Sequence, residues 1–200
     1  MATVKFEGKK DIYQFRIDIK NAKPPIWRRV LIENTRTFHE LHILIQAVFG
    51  WDNSHLYQFM IDRDTIITDT TNPYHEPYFY KEYNDKKTKL SKFFKSEGDM
   101  ITYVYDFGDD WEHTIKLEKI LQHDSKKHYP FLVTGKRATP PEDCGGIWGH
   151  ERICYFLGEE EDSPEKEEVL EYYEGYDPED FSKEEIAFVN ELLKNWDNDI

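Results

Sequence analysis

"YVYDFGDDWEHTIKLE", residues 103–118, carries two alternating runs on either side of a glycine. Tyr103 and Tyr105 alternate into Asp106, and Trp111, His113, Ile115 and Leu117 alternate out again. A period of two belongs to a strand with one buried face. Phe107, Gly108, Asp109 and Asp110 between the runs have hairpin turn chemistry. The stretch is therefore expected to be a β-hairpin, with Asp109 and Asp110 turning it. Trp111 and His113 should point together toward the helix that carries His42.

Upstream, Tyr13, Phe15, Ile17 and Ile19 alternate with polar residues and predict another half-buried strand. Pro24 and Pro25 end it, since proline cannot continue a ladder. A returning strand is expected over 26–32. Thr37 and Glu40 form a capping box, in which hydroxyl and carboxylate satisfy orphan helix N–H groups. Phe38, Leu41, Leu44, Ile45, Val48 and Phe49 follow at helical spacing, and Gly50 supplies a left-handed stop. A third strand is expected over 55–61, an irregular, tyrosine- and proline-rich excursion over 69–84, and a short strand over 131–134. The turn-dense stretch 135–146 comes next.

The last quarter reads as helical. Ser163 and Pro164 make a good start, and Ser182 with Glu185 repeats the capping-box pattern. Ile186, Val189, Leu192, Leu193 and Trp196 share a face. Strands and helices that do not alternate argue for an α+β fold. We expect an antiparallel-rich sheet, a packed helix in the N-terminal half and an acidic helical part over 158–200, all in one domain spanning 1–200.

Thirteen Tyr, thirteen Phe and five Trp among 200 residues bring enough apolar area for a packed core. No apolar run approaches the ~20 residues of a membrane span, and residues 1–15 lack the apolar centre of a secretory signal. Two cysteines make no disulfide framework, so a cytoplasmic, reducing setting is expected. The net charge of −14 is uneven. Residues 158–185 hold fourteen acids against Lys166 and Lys183, whereas lysines prevail over 81–95. A solvated acidic cover is the plain reading of the former. No part is basic enough to be a nucleic-acid binder on charge alone.

Several side chains are candidates for chemistry. Asp106, Asp109, Asp110 and Glu112 could hold a cation through oxygen, or simply bond their own backbone in a turn. His113 falls on the inward face, where histidine is more often a satisfied core residue than a catalyst. His39 and His42 stand three apart on the first helix. His42, His55 and His113 are placed so that they could meet in space. Arg28 and Arg29 are strand neighbours that must face opposite ways. One should pair with a carboxylate and the other reach solvent. Cys144, His150 and Cys154 have spacing that permits zinc but lack a fourth ligand, and no metal or cofactor is assigned. No phosphate loop, dinucleotide fingerprint or nucleophile elbow is present.

Five ordered motifs, "PPIWRRVLI", "LHILIQAVFGW", "HLYQF", "YVYDFGDDWEHTIKLE" and "PPEDCGG", resemble the plasmid pRiA4b open-reading-frame-three family from about residue 13 to 193. The matching positions include Arg28, Arg29, His42, His55, Asp106, Asp109, Trp111, His113 and Asp143. Some members are described as insertion-sequence passengers with a TnpR-like label. The resemblance implies a link to mobile elements and an unknown protein or nucleic-acid-associated partner. It supplies no catalytic residues. The leading expectation is a non-enzymatic binding or interaction module. The alternative is a metal-dependent enzyme or hydrolase using His42, His55, Asp106, Asp109 and His113. An open pocket shared by these five would favour the enzyme; scatter into core and turns would favour the module.

Overall fold

A computed structural model describes residues 11–75 and 80–196. The expectation for residues 1–10 and the last four residues of the acidic part lie outside that range. Among the described residues eight strands form one sheet: β1 (Asp11–Ile19), β2 (Trp27–Glu33), β3 (Tyr57–Asp62), β4 (Thr65–Thr68), β5 (Lys81–Asn84), β6 (Met100–Tyr105), β7 (Trp111–Gln122) and β8 (Phe131–Lys136). Their order across the sheet is β5-β4-β3-β6-β7-β1-β2-β8. Every pairing is antiparallel except β4 with β5. With the four α-helices of the described residues, this is the α+β architecture expected. Among the described residues no helix is long and apolar enough to cross a membrane.

The 103–118 hairpin lies at the centre of the sheet. In its register Tyr103 faces His113 and Tyr105 faces Trp111. The rows continue outward, Phe59 beside Tyr103 and Ile19 beside His113. Side chains in such rows stand on one face of the pleat. That face receives α1 (Phe38–Phe49), whose Phe38, Leu41, Leu44, Ile45 and Val48 join Phe15, Ile17, Val30 and Ile115 in one core. Both halves of the Thr37–Glu40 capping box form, and Gly50 closes the helix at φ 72°. On the other face, over β1, β2 and β7, Arg29 makes a two-pronged bond to Glu118 at 2.6 and 2.9 Å, and Gln14 joins the same carboxylate.

The acidic C-terminal part is more firmly seated than its charge suggests. α2 (Gly146–Gly158) and α3 (Pro164–Tyr172) pack together, with Ile153 and Val169 buried. α4 (Lys183–Leu193) covers β8, where the Asn190 amide accepts from the Leu132 N–H and donates to its carbonyl, both at 2.8 Å. That side chain completes the hydrogen bonding of an edge strand that would otherwise be open. Val189, Leu193 and Trp196 enter the core. Most of 158–185 is solvated as expected, but Val169, Tyr176 and Phe181 pin it down.

Arg28 departs from expectation. It faces opposite to Arg29, yet it neither reaches solvent nor bonds a carboxylate: it is fully buried, and its guanidinium bonds the Val48, Trp27 and Lys136 carbonyls and the Thr139 hydroxyl. Carbonyls from the last turn of α1, the start of β2 and the end of β8 point into one spot, and a planar five-donor group satisfies them better than an ion pair would.

Candidate functional site

Three segments far apart in sequence meet at one end of the sheet: the loop 51–56 after α1, the hairpin turn 106–110, and the turn-dense 140–146. Each junction is a specific bond. The Trp51 indole N–H donates to the Pro140 carbonyl at 3.0 Å. Glu142 accepts from the Asp52 N–H and from the Tyr105 hydroxyl, both at 2.6 Å, and that hydroxyl accepts from the Ser54 N–H. Burial and then Glu142 push the Tyr105 phenol up to about 12. Asp109 accepts from the Gly145 N–H at 3.1 Å.

The glycines here are needed for contact. A Cβ at Gly146 would lie 2.2 Å from the Asp109 carbonyl oxygen, at a φ of 65° that disfavours side chains. One at Gly149 would lie 1.7 Å from the Cys144 carbonyl oxygen. Gly149→Ala should therefore force the start of α2 away from residues 143–146 and cost roughly 1–3 kcal/mol. Urea denaturation measures this, and a variant as stable as the parent would contradict the close approach.

His42 is fixed within a closed ring of bonds. Gln46 donates to the Tyr103 hydroxyl (3.1 Å), which donates to His42 Nδ1 (2.7 Å). His42 Nε2–H donates to Asn53 Oδ1 (2.7 Å), and the Asn53 N–H returns to Gln46 (3.2 Å). Asn53 sits at φ 57°, a conformation asparagine tolerates. The imidazole also stacks on Tyr57, centroids 3.4 Å apart. Burial lowers its pKa to about 3. His42 is therefore a neutral, doubly bonded residue that fixes the loop bearing His55.

Beside it, Tyr57 donates a very short bond to Asp85, and His39 Nδ1 lies 3.0 Å from the Tyr57 oxygen and 3.1 Å from Asp85. Burial, then Asp85, drives the phenol far above its ordinary value. Burial pushes Asp85 up, but bonds from His39, Tyr57 and the Lys86 N–H hold its carboxyl below the usual range. His39 and Tyr57, but not Asp85, line a cleft of about 550 Å³. His42, Asn53, His55, Asp69 and His75 line it too. Phe107 and Tyr74 stand exposed at its edge.

His55 sits where the cleft meets the three-segment junction. Its Nδ1 is 3.7 Å from Asp106 and its Nε2 3.2 Å from Asp143. Asp106, at φ 54°, is held by its N–H to the Leu56 carbonyl, by the Asp110 N–H onto its own carbonyl, and by the Gly108 N–H onto its carboxylate.

The sequence candidates thus divide. His55, Asp106, Asp109 and Asp143 gather at the junction, and His42 forms a cleft wall. His113 does not join them: it is buried among Phe49, Trp51 and Tyr103, with Nδ1 bonded to the Trp111 carbonyl. Trp111 packs beneath Trp51. Arg28 and Arg29 lie elsewhere. Among the described residues the acidic quartet of the hairpin does not bring its ligand atoms together: Asp109 bonds Gly145 and Glu112 pairs with Lys20 at 2.7 Å. Nor do Cys144, His150 and Cys154 gather three ligand atoms there. His150 Nε2 bonds the Tyr176 hydroxyl at 2.9 Å and lies 3.4 Å from Cys154 Sγ. Asn53, Tyr57 and Asp85 were not singled out from sequence as site residues, and Glu142 stood out only as a member of the "PPEDCGG" motif. "WDNSH" and "PPED" contain two of them, but only the fold shows that they touch.

A family model described as "Plasmid pRiA4b ORF-3-like protein" matches residues 11–185. A curated relative from Sinorhizobium fredii, "Uncharacterized protein y4hQ", is 31% identical over 150 residues, 74% of each chain. The crystal structure of the protein of unknown function MM3350 from Methanosarcina mazei Go1 superposes with a TM-score of 0.78 at 33% identity. That match covers 90% of this chain and 98% of that one.

Proposed function

The chain belongs to the plasmid pRiA4b ORF-3-like family, and we propose that it is a non-enzymatic binding module whose cleft takes a small, hydrogen-bonding molecule with a planar ring. The observation that carries this is the cleft itself: a hollow of about 550 Å³ with mixed polar and apolar lining, a stacked histidine–tyrosine pair, His42 and Tyr57, and two exposed aromatic rings, Tyr74 and Phe107. Few placed polar groups among aromatic surfaces are what orient a ring-bearing ligand. Asp69 and the carboxylates of the junction favour an uncharged or cationic ligand over a phosphorylated one.

A binding role is favoured over a catalytic one by what the titratable groups are doing. His42 has both nitrogens engaged, Tyr57 is held protonated, and His113 is in the core. A general base needs a free lone pair and a pKa near the working pH. The plasmid in the family description supports a mobile-element setting, and free thiols at Cys144 and Cys154 support a reducing, cytoplasmic one. The acidic surface of 158–185 supports a basic protein partner over nucleic acid itself.

The test is a melting-temperature screen with uncharged nucleosides and cyclic amines at millimolar concentration. At least one should raise Tm saturably, and the double change Tyr74→Ala with Phe107→Ala should remove the rise. Both residues are exposed, so the variant should keep its fold. A screen without any shift, or a double variant that responds like the parent, would overturn the reading.

A further inference from the structure

We propose that His55, Asp106 and Asp143 form a divalent-metal site at the rim of the cleft. One ligand atom from each lies within 4.8 Å of the others. Metal–ligand bonds of about 2.0–2.2 Å place neighbouring ligand atoms roughly 3–4 Å apart, so closure needs only a small swing. Asp143, with a side chain 74% exposed, is free to make it.

A second observation concerns His55. Its Nε2 is sealed from solvent and lacks a hydrogen-bond partner among the described residues, although Asp143 Oδ1 is 3.2 Å away. The two atoms are close without the alignment of a hydrogen bond. That arrangement suits two donors converging on a shared cation. A buried imidazole nitrogen left without a partner is costly otherwise.

The supporting shell is already built. Asp106 is fixed by two bonds within the turn and one to the Leu56 carbonyl, and the His55 and Tyr105 rings meet edge-to-face at 5.7 Å. Asp143 follows Glu142, which is anchored to Asp52 and Tyr105, and precedes the Gly145–Asp109 bond. Ligands supplied by three separate segments, each held by its own contacts, give a site whose geometry survives side-chain motion. One imidazole and two carboxylates suit Zn²⁺ or Mn²⁺ and leave coordination positions open. Of the three ligands, His55 also lines the cleft.

The experiment uses the full chain, stripped with EDTA and dialysed, then titrated calorimetrically with Zn²⁺ or Mn²⁺ alone. Elemental analysis after desalting gives the stoichiometry. One equivalent should bind, and Asp143→Asn and His55→Ala should each weaken binding at least about tenfold. Asp110→Asn alters an exposed neighbour outside the triad and should bind like the parent. Three results would overturn the proposal: no stoichiometric binding, triad variants equal to the parent, or Asp110→Asn as weak as Asp143→Asn. The last would mean diffuse acidity rather than a site. Because no organic ligand is present, failure here leaves the cleft reading intact, and a silent nucleoside screen leaves the metal site intact.

Discussion

Between pH 6.5 and about pH 4 the protein should lose most of its stability. Two histidines are chiefly responsible, and His150, which burial also lowers, adds in the same sense. Burial lowers His42 and His113 to about 3, whereas in an unfolded chain each titrates near 6.5. The folded state therefore binds fewer protons than the unfolded one between those values. Stability then falls as pH falls through 6.5 and continues to fall until the folded-state value is reached. Each histidine contributes a slope of up to about 1.4 kcal/mol per pH unit, so two contribute nearly 3. Total stabilities of roughly 5–15 kcal/mol do not survive that slope for long. Among the groups around His42, Asn53 and Asp85 favour its charged form and His39 opposes it, but burial outweighs them. His113 faces Phe49, Trp51, Tyr103 and the Trp111 carbonyl, with no carboxylate to compensate a charge. Glu185, raised by burial, acts in the opposite sense near pH 4.5 and only softens the lower end. Urea denaturation at half-unit steps of pH measures the slope. His113→Phe, which fills the same space without a titrating nitrogen, should cut it by about one proton. A stability curve flat from pH 6.5 to 4.5 would show that the two rings are not held neutral by burial.

Elements carrying a period were legible, and those held by contact alone were not. The central hairpin announced itself through Tyr103, Tyr105, Trp111 and His113, because a half-buried strand must alternate. α1 announced itself through Thr37, Glu40 and Gly50, whose side chains or backbone freedom do local work. β4 did not, since "TIIT" at 65–68 is a short apolar run without alternation. β5 lies at the sheet edge with no buried residue, so burial left no pattern in it. α2 was hidden by its own start: Gly145, at φ 90°, caps it without a side chain, so "CGG" read as a turn. Its inward residues Gly146, His150 and Ile153 do have helical spacing, but one is a glycine and one a histidine.

The site followed the same division. Residue types pointed to His55, Asp106, Asp109 and Asp143, yet nothing in a linear chain says that 55, 106 and 143 lie side by side. That proximity depends on Trp51, Tyr105 and Glu142 binding one another across the fold. His113 was rightly placed facing inward by its parity, and parity also separated Arg28 from Arg29. What parity could not supply was the partner each would find.

Replacing Arg28 with alanine should cost about 3–5 kcal/mol, the largest loss expected from any single side chain outside the aromatic core. Its guanidinium donates at 3.0 Å to the Val48 carbonyl in the last turn of α1, at 3.1 and 3.2 Å to the Trp27 and Lys136 carbonyls, and at 2.9 Å to Thr139. The plane lies 3.7 Å from the Phe181 ring and 5.0 Å from Phe49. Burial lowers its pKa to about 10, with Glu185 opposing, so it stays charged at neutral pH. Alanine would take one donor from each of four acceptors and leave a hollow between two rings, and each deficit costs on the order of 1–3 kcal/mol before relaxation. Lysine would restore the charge but not the planar fork, so Arg28→Lys should recover less than half of the loss. The bidentate Arg29–Glu118 pair, partly exposed on the other face, is worth no more than about 1 kcal/mol by comparison. The loss should also be spatially directed. Phe181 comes from the acidic segment, and Gly135 has no room for a side chain because Phe181 and Arg28 both press on it. Arg28 thus joins the Asn190–Leu132 bonds in holding a self-repelling C-terminal region against β2 and β8. Hydrogen exchange in Arg28→Ala should accelerate first over 177–190, while the 103–118 hairpin stays protected until global unfolding. Equal loss of protection in both regions, or a stability within 1 kcal/mol of the parent, would show that this buried cation fills space without joining the C-terminal helices to the sheet.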